Sequence, residues 1–337
     1  MSRPAPRDGS ALAARWPRRQ ALKVLAASLA LPAGMLALGR AGAGAASQRW
    51  SGESLGGPVG LTLWHQDRGH ARRTLAHIAA EVARLDAVFS LYRHDSEIAA
   101  LNRSGRLSSP SADFVAVLGA ARQVFLLSGG AFDPTVQPLW RLHADAHANG
   151  APPSPASVLE ARSRVGFQHL EFGPRSVRFA ATGMAVTLNG VAQGYITDRV
   201  ADLLRNEGFE HAMVELGETR ALGAAVDGAP FIVSVRNPQA PWIADREVKL
   251  ADAALSVSGG YGMTFGAPEA HHIFDPRTGR SALSLLDVAV IAPRAMHADA
   301  LSTAICVAGE GRAAALLAAF PGARAVATRA DGTIAHL

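Results

Sequence analysis

Apolar residues recur at helical spacing from Ala71 to Phe89, where Leu75, Ile78, Ala79, Val82, Leu85 and Phe89 fall on one face, and this predicts an amphipathic helix. A second, short helix is predicted over Ser96 to Leu101 with Ser96 as its cap, and a third over Ala112 to Leu127, ended by Gly129-Gly130. Leu61 to Trp64 alternates behind Gly-rich turns and reads as a first strand. Ala144 to Ser157 is rich in Ala, Pro, His and Asn without periodicity and reads as an exposed connection or lid. Beyond it, short strands are expected near Gln168–Phe172, Ser176–Phe179 and Ala185–Leu188, then a helix from about Val191 to Asn206. Further strands follow near His211–Leu216, Ala221–Ala225, Phe231–Val235, Arg246–Leu250, Leu255–Val257 and Asp287–Ile291. Helices near His297–Val307 and Arg312–Ala319 precede a last strand pair. Helices grouped early and strands grouped in the middle point to an α+β domain, not a doubly wound sheet.

The chain has 337 residues with a formal net charge of +5, which taken alone suggests an anionic partner. Placing the charges removes that suggestion. Residues 1–46 hold seven basic side chains and one acid, leaving 26 basic and 27 acidic residues in the remainder, so a basic nucleic-acid-binding surface is not expected. The leader has a basic stretch around Arg18-Arg19, an apolar Ala/Leu run from Val24 to Leu38 and a small-residue tail from Ala41 to Ala46. It resembles a twin-arginine export signal, and its apolar run, broken by Pro32 and Gly34, is short for a membrane span. The expected organisation is therefore a signal over 1–46, one domain over 47–337, a periplasmic location and no permanent span. The lone Cys306 lies in an apolar stretch and reads as a small buried hydrophobe.

Several clusters are suited to chemistry. Leu188 to Arg199 leaves a strand through a glycine-bearing turn and opens a helix, whose free N–H groups can take an anion; a plain packing turn explains the glycines equally well. Asp299 and Thr303 stand at i and i+4 on one helical face and offer a carboxylate and a hydroxyl, hard oxygen donors of the kind Mg²⁺ takes; Asp299 serving the helix dipole is the alternative. His271-His272 precedes the turn Asp275-Pro276-Arg277-Thr278-Gly279, and a histidine there suits a general base. Gly130 to Val136 and Ser256 to Gly260 are small, polar turn-forming clusters able to line a cleft.

Taken in order, these segments resemble the ApbE family of FAD:protein FMN transferases from about Leu61 to the C-terminus. The elements are Phe89 to Tyr92, Ser96-Glu97-Ile98 with Asn102, Gly130 to Val136, Gly190 to Asp198, Leu216-Gly217-Glu218, Ser258-Gly259, His272 to Gly279 and Ala298 to Thr303. The resemblance implies an ApbE-like, T-fold-related fold of mixed sheets with flanking helices and an FAD cleft between two packed subdomains. It also implies Mg²⁺-dependent transfer of FMN from FAD to a Thr or Ser hydroxyl of a target protein, with AMP released. By the same resemblance Asp299, Thr303 and the carbonyl of Ala192 would hold the metal. Tyr92, Asp133, Gly190, Gln193, Gly217, Glu218, Ser258, Gly259 and His272 would contact FAD, and His272 or Asp275 would assist deprotonation of the acceptor.

The family usually reads Asp-Leu-Gly-Gly-Ile-Ala-Lys-Gly-Tyr where this chain has Thr187-Leu188-Asn189-Gly190-Val191-Ala192-Gln193-Gly194-Tyr195. Gln193 removes a cation beside the expected diphosphate and Thr187 removes a carboxylate, which leaves a non-catalytic FAD carrier and an FAD pyrophosphatase as alternatives. That form, with Gly-Glu in place of Gly-Gly, resembles the NosX branch. This implies a role in maturation of a nitrous oxide reductase system and a NosR-like electron-transfer protein as target.

Overall fold

A computed structural model describes residues 46–337. The expected signal segment thus lies almost entirely outside the described residues. Eight antiparallel strands form the central sheet in the spatial order Ala46–Ser54, Gly57–His65, Ala212–Glu215, Thr219–Leu222, Ala254–Gly259, Leu285–Ala292, Arg324–Arg329 and Ile334–His336. The two-residue side-chain period divides its apolar residues between two cores. Leu61, Leu63, Val214, Leu222, Val288 and Val290 face the larger one, roofed by the helices Arg68–Phe89, Ala112–Leu127, Asn189–Asn206 and Ala295–Ala308. Trp64, Met213, Ala221, Leu255 and Ala289 face the other way, against Phe231, Val233, Val235 and Leu250 of a long hairpin, Phe231–Asn237 with Ala240–Leu250. Helices gathered on one side of an antiparallel sheet are the α+β arrangement expected from the sequence.

The helix starts are fixed by the residues that the pattern singled out. Ser96 Oγ accepts the Ala99 N–H at 3.1 Å, and Ser111 Oγ accepts that of Phe114 at 3.1 Å. Asp67, one turn earlier than the first apolar repeat, caps its helix by accepting from Gly69 and His70 at 2.7 and 3.0 Å. Cys306 is fully buried, as expected, and burial pushes its thiol up to about 12.

Three expectations need correction. The segment 144–157 is mostly helical: Gln137–Ala148 and Pro155–Arg162 flank a connection of only 149–154. Of the prolines that suggested a loop, Pro152 and Pro153 do lie in that short connection, but Pro155 sits in the first turn of the second helix, where no N–H is needed, and Ser154 caps that helix with a 3.1 Å bond from Ser157 N–H. Leu139, Ala144 and Ala161 are buried against Phe265 and Phe274, which anchors both helices. Next, Ala185–Leu188 joins no sheet. Its ladder partner is a side chain, because Asn102 takes the Val186 N–H at 2.7 Å and donates to the Val186 carbonyl at 2.8 Å. Finally, the strand Ala46–Ser54 carries no apolar alternation that would reveal it, since Ser47, Arg49, Ser51 and Glu53 point to solvent from the sheet edge.

Candidate functional site

The site forms where the helices Asn189–Asn206 and Ala295–Ala308 cross beneath the sheet. Gly194 permits the crossing, since a Cβ there would lie 2.6 Å from Met296 Cα and overlap the Ala295 carbonyl. At that contact the Gly194 N–H donates to Asp299 Oδ2 at 3.0 Å. One turn on, the fully buried Asp198 accepts the N–H groups of Ala295 and Met296 at 2.9 and 3.0 Å and so caps the second helix. Its charge is matched by the buried Arg220 and by Arg294, whose Nε lies 3.2 Å away. The helix bearing Asp299 and Thr303 is therefore locked in rotation against the helix bearing Gly190 and Ala192.

A run of hydroxyls lines this crossing. Thr303 Oγ1 lies 3.0 Å from Ser258 Oγ, which is 2.8 Å from Ser302 Oγ, itself 3.0 Å from Ser256 Oγ. Ser302 also donates to the Asp299 carbonyl at 2.9 Å. Gly190 comes so near Thr303 that a Cβ would sit 3.2 Å from Oγ1, and the helix it opens has no side-chain cap. From the sheet side, the turn between Ala212–Glu215 and Thr219–Leu222 delivers Glu218. That turn needs glycine at 217, where φ is +95° and a Cβ would fall 2.7 Å from the Gln193 carboxamide.

Asp299 and Glu218 are both buried, and burial is the main cause raising both carboxyls well above the usual range. The Asp299 charge pushes Glu218 further up and Ser256 opposes it, while the Gly194 N–H lowers Asp299 and the charge of Asp198 raises it. Among the described residues no three of His, Cys, Asp and Glu gather as a metal group. The donors present are the Asp299 carboxylate and the Thr303 hydroxyl, with the Asp299 charge acting on the Glu218 carboxyl, all hard oxygens, and this set fits Mg²⁺ and not a thiophilic or imidazole-seeking metal.

Gly190, Gln193, Gly217, Glu218, Ser258, Asp299 and Thr303 are thus brought together, and Ala192 lies buried in the helix between Gly190 and Gln193. Gly259 and His272 adjoin them through the turn Gly260–Gly262, which packs on His271 and returns the His272 N–H to the Met263 carbonyl at 3.1 Å. His272 Nδ1 lies 3.2 Å from the same carbonyl oxygen, so it carries the hydrogen and Nε2 is left as the acceptor; burial lowers the ring's pKa and keeps it neutral.

The other expected residues have different surroundings. Asp275 is bound on both oxygens by Arg277, at 2.8 Å each, and on one by the Arg277 N–H at 2.9 Å; its carboxylate holds a turn and is not available as a base. Asp133 accepts from Thr135 N–H and Oγ1 at 2.7 and 2.6 Å and from Phe167 N–H at 3.1 Å, so it braces the wall beside Gly190, which Phe132 touches. Tyr92 is 56% exposed and lies over Gly56 in the first hairpin turn. Ser256, Ser302, Gly194 and Asp198 were assigned no individual role from the sequence. The alternation Ser256-Val257-Ser258 and the adjacency of Ser302 to Thr303 are the signals that would have found the hydroxyl run.

The ApbE family profile matches residues 55–327. An FAD:protein FMN transferase from Treponema pallidum is 33% identical over 266 residues, covering 72% of this chain and 73% of that protein. One from Haemophilus influenzae is 30% identical, with 72% and 75% covered. Among solved structures, the flavin transferase ApbE from Vibrio cholerae superposes with a TM-score of 0.75 at 26% identity, covering 87% of this chain and 97% of that one. The ApbE protein from Thermotoga maritima gives 0.76 at 26%, with 86% and 97% covered. By the extent of the profile match and the identity to these relatives, the chain belongs to the ApbE family.

Proposed function

We propose that this protein is a Mg²⁺-dependent transferase that moves FMN from FAD to a Thr or Ser hydroxyl of a target protein and releases AMP. The observation that carries the reading is the meeting of Thr303 with Gly190 and of Asp299 with the Gly194 N–H where the two helices cross, in a chain whose relatives are named FAD:protein FMN transferases. The Gly190 N–H, which no described residue accepts, suits the FAD diphosphate, and Asp299, Thr303 and Ala192 would hold the cation. Bound Mg²⁺ supplies neutralisation of the charge that develops on the phosphates. His272 Nε2, with Nδ1–H tied to Met263, takes the proton of the acceptor hydroxyl as its oxygen bonds to the FMN phosphorus; the bond from that phosphorus to the bridging oxygen breaks and AMP leaves. Gly217 keeps Gln193 packed over the turn, where a neutral carboxamide stands in place of the family's usual lysine.

The twin-arginine-like leader supports an exported, periplasmic enzyme with a signal over 1–46 and one catalytic domain over 47–337. Among the described residues no helix is long and apolar enough to cross a membrane. The NosX-like sequence form supports a NosR-like electron-transfer protein as acceptor and a part in nitrous oxide reductase maturation. The test is incubation of the purified protein with FAD, Mg²⁺ and such a target domain. Covalent FMN with stoichiometric AMP is expected; AMP with free FMN would indicate a pyrophosphatase, and bound intact FAD a carrier, the reading that Gln193 favours.

A further inference from the structure

We infer that Ser302 is a positioning residue for Thr303: acting through Ser258, it turns the Thr303 hydroxyl hydrogen away from the cleft and leaves the lone pairs of Oγ1 for a cation. Ser302 itself is 0% exposed, too deep to touch an ion or a nucleotide. The inference rests on the proposed placement of a cation at Asp299 and Thr303 and adds the residue that readies one of its ligands.

A hydroxyl has one hydrogen, and that count fixes the direction of each bond from Ser302 out to Thr303. Ser302 Oγ lies 2.9 Å from the Asp299 carbonyl oxygen, which can only accept, so the Ser302 hydrogen is committed there. Ser302 then accepts from its two other partners, Ser256 at 3.0 Å and Ser258 at 2.8 Å. With its own hydrogen given to Ser302, Ser258 accepts from Thr303 at 3.0 Å. If Ser258 donated to Thr303 instead, the Ser258 and Ser302 oxygens would face each other at 2.8 Å with no hydrogen between them, which is repulsive.

The run leads from the interior to the cleft, since Ser256 and Ser302 are buried and Ser258 and Thr303 are half-buried. Among the described residues Ser258 is the one hydrogen-bond partner of Thr303 Oγ1, which otherwise lies against Gly190. A helical threonine ordinarily gives its hydrogen to the carbonyl three or four residues back. For Thr303 the residue four back is Asp299, and Ser302 occupies that carbonyl instead. Asp299 therefore serves twice, with its carboxylate on the Gly194 N–H and its carbonyl anchoring the run. A cation takes a lone pair and repels a hydroxyl hydrogen, so a hydroxyl already turned needs no rotation when the ion binds. The aligned hydroxyl dipoles also reinforce one another, each bond strengthening the next.

Without the Ser302 hydroxyl, the Ser258 hydrogen is free to turn onto Thr303 Oγ1, where it takes up a lone pair and sends the Thr303 hydrogen into the cleft. Titration of the full chain with Mn²⁺ at saturating FAD, corrected for FAD alone and followed by the free-ion electron paramagnetic resonance signal, tests this. Ser302→Ala is expected to bind about fivefold more weakly than wild type, the weight of one hydrogen bond, and Ser258→Ala to a similar degree. Because the two residues act in series, Ser258→Ala/Ser302→Ala should bind no more weakly than Ser258→Ala, whereas independent packing losses would multiply. Thermal melting without metal checks that each variant is folded. Wild-type affinity in Ser302→Ala, or a double variant whose loss is the product of the single losses, would overturn the inference. Asp299→Asn separates that failure from failure of the cation site: lost Mn²⁺ binding there leaves the site standing, and unchanged binding removes it.

Discussion

Replacing Asp198 by Ala should be among the most destabilising single changes in the chain that leave every apolar contact of the core in place. The carboxylate is fully buried, caps the helix Ala295–Ala308 through two N–H groups at 2.9 and 3.0 Å, and neutralises Arg220, which is 3% exposed. Stranding a buried cation costs roughly 3–5 kcal/mol and loss of a cap about 1 kcal/mol. Asp202, 3.7 Å from Arg220 and 37% exposed on its side chain, returns less than about 1 kcal/mol. The net is about 4 kcal/mol, and at roughly 2–4 °C per kcal/mol for a domain of this size the melting midpoint should fall by roughly 8–16 °C. Urea unfolding with wild type and variant side by side measures the loss. The double variant Asp198→Ala/Arg220→Met should recover about 2 kcal/mol by removing the stranded charge. A loss under about 1 kcal/mol for the single variant, or a double variant as unstable as the sum of the singles, would mean that removing Asp198 does not strand the Arg220 charge.

Three further outcomes follow from the same structure. Burial pushes Glu215 up to about 7 from the usual 4.5, so the folded state holds its proton more tightly and the associated stability, present below pH 4.5, is lost as pH rises to 7. Glu215→Gln should therefore gain on wild type across that window, reaching about 3 kcal/mol by pH 8, and a pH-independent difference in urea midpoints would contradict this. The opposite contribution of His271, lowered to about 4 by burial, is common to both proteins and cancels in the difference. Gly194→Ala should cost more than about 2 kcal/mol in melting experiments, because its Cβ meets the Ala295–Met296 backbone and not a yielding side chain. It should also weaken Mn²⁺ binding by moving the N–H that holds Asp299. Asp299→Asn keeps the packing and removes the charge, so transfer should be lost while the melting midpoint measured without metal stays level or rises. Retained transfer with Mg²⁺ as the sole cation would show that Asp299 is not a ligand.

What could be read from the sequence was what local pattern encodes. Ala112–Leu127 matched residue for residue because a serine cap, an apolar stripe and a Gly-Gly stop all act within the segment. The pairing of Asp299 with Thr303 follows from helical spacing alone. By contrast, the helix through Ala148 was hidden by proline and histidine, and what holds it is burial of Leu139 and Ala144 against Phe265 and Phe274, more than 100 residues away. The role of Asp198 depends on Ala295, Met296 and Arg220 arriving from two other elements, and the proximity of Glu218 to Asp299 depends on a turn of the sheet meeting a helix. Asp275 shows the converse. A carboxylate in a suggestive motif is held by its own neighbour Arg277, a contact two residues long that its Asp-Pro-Arg-Thr-Gly turn signal already implied.

Transfer of FMN to a protein hydroxyl by this cluster is read by intact-mass analysis of a target domain after incubation with the enzyme, FAD and Mg²⁺. The target should become heavier by one phosphoester-linked FMN, with one AMP per adduct, and no adduct should form when Asp299→Asn replaces the wild type. An unmodified target alongside AMP and free FMN, or alongside intact FAD, would contradict it.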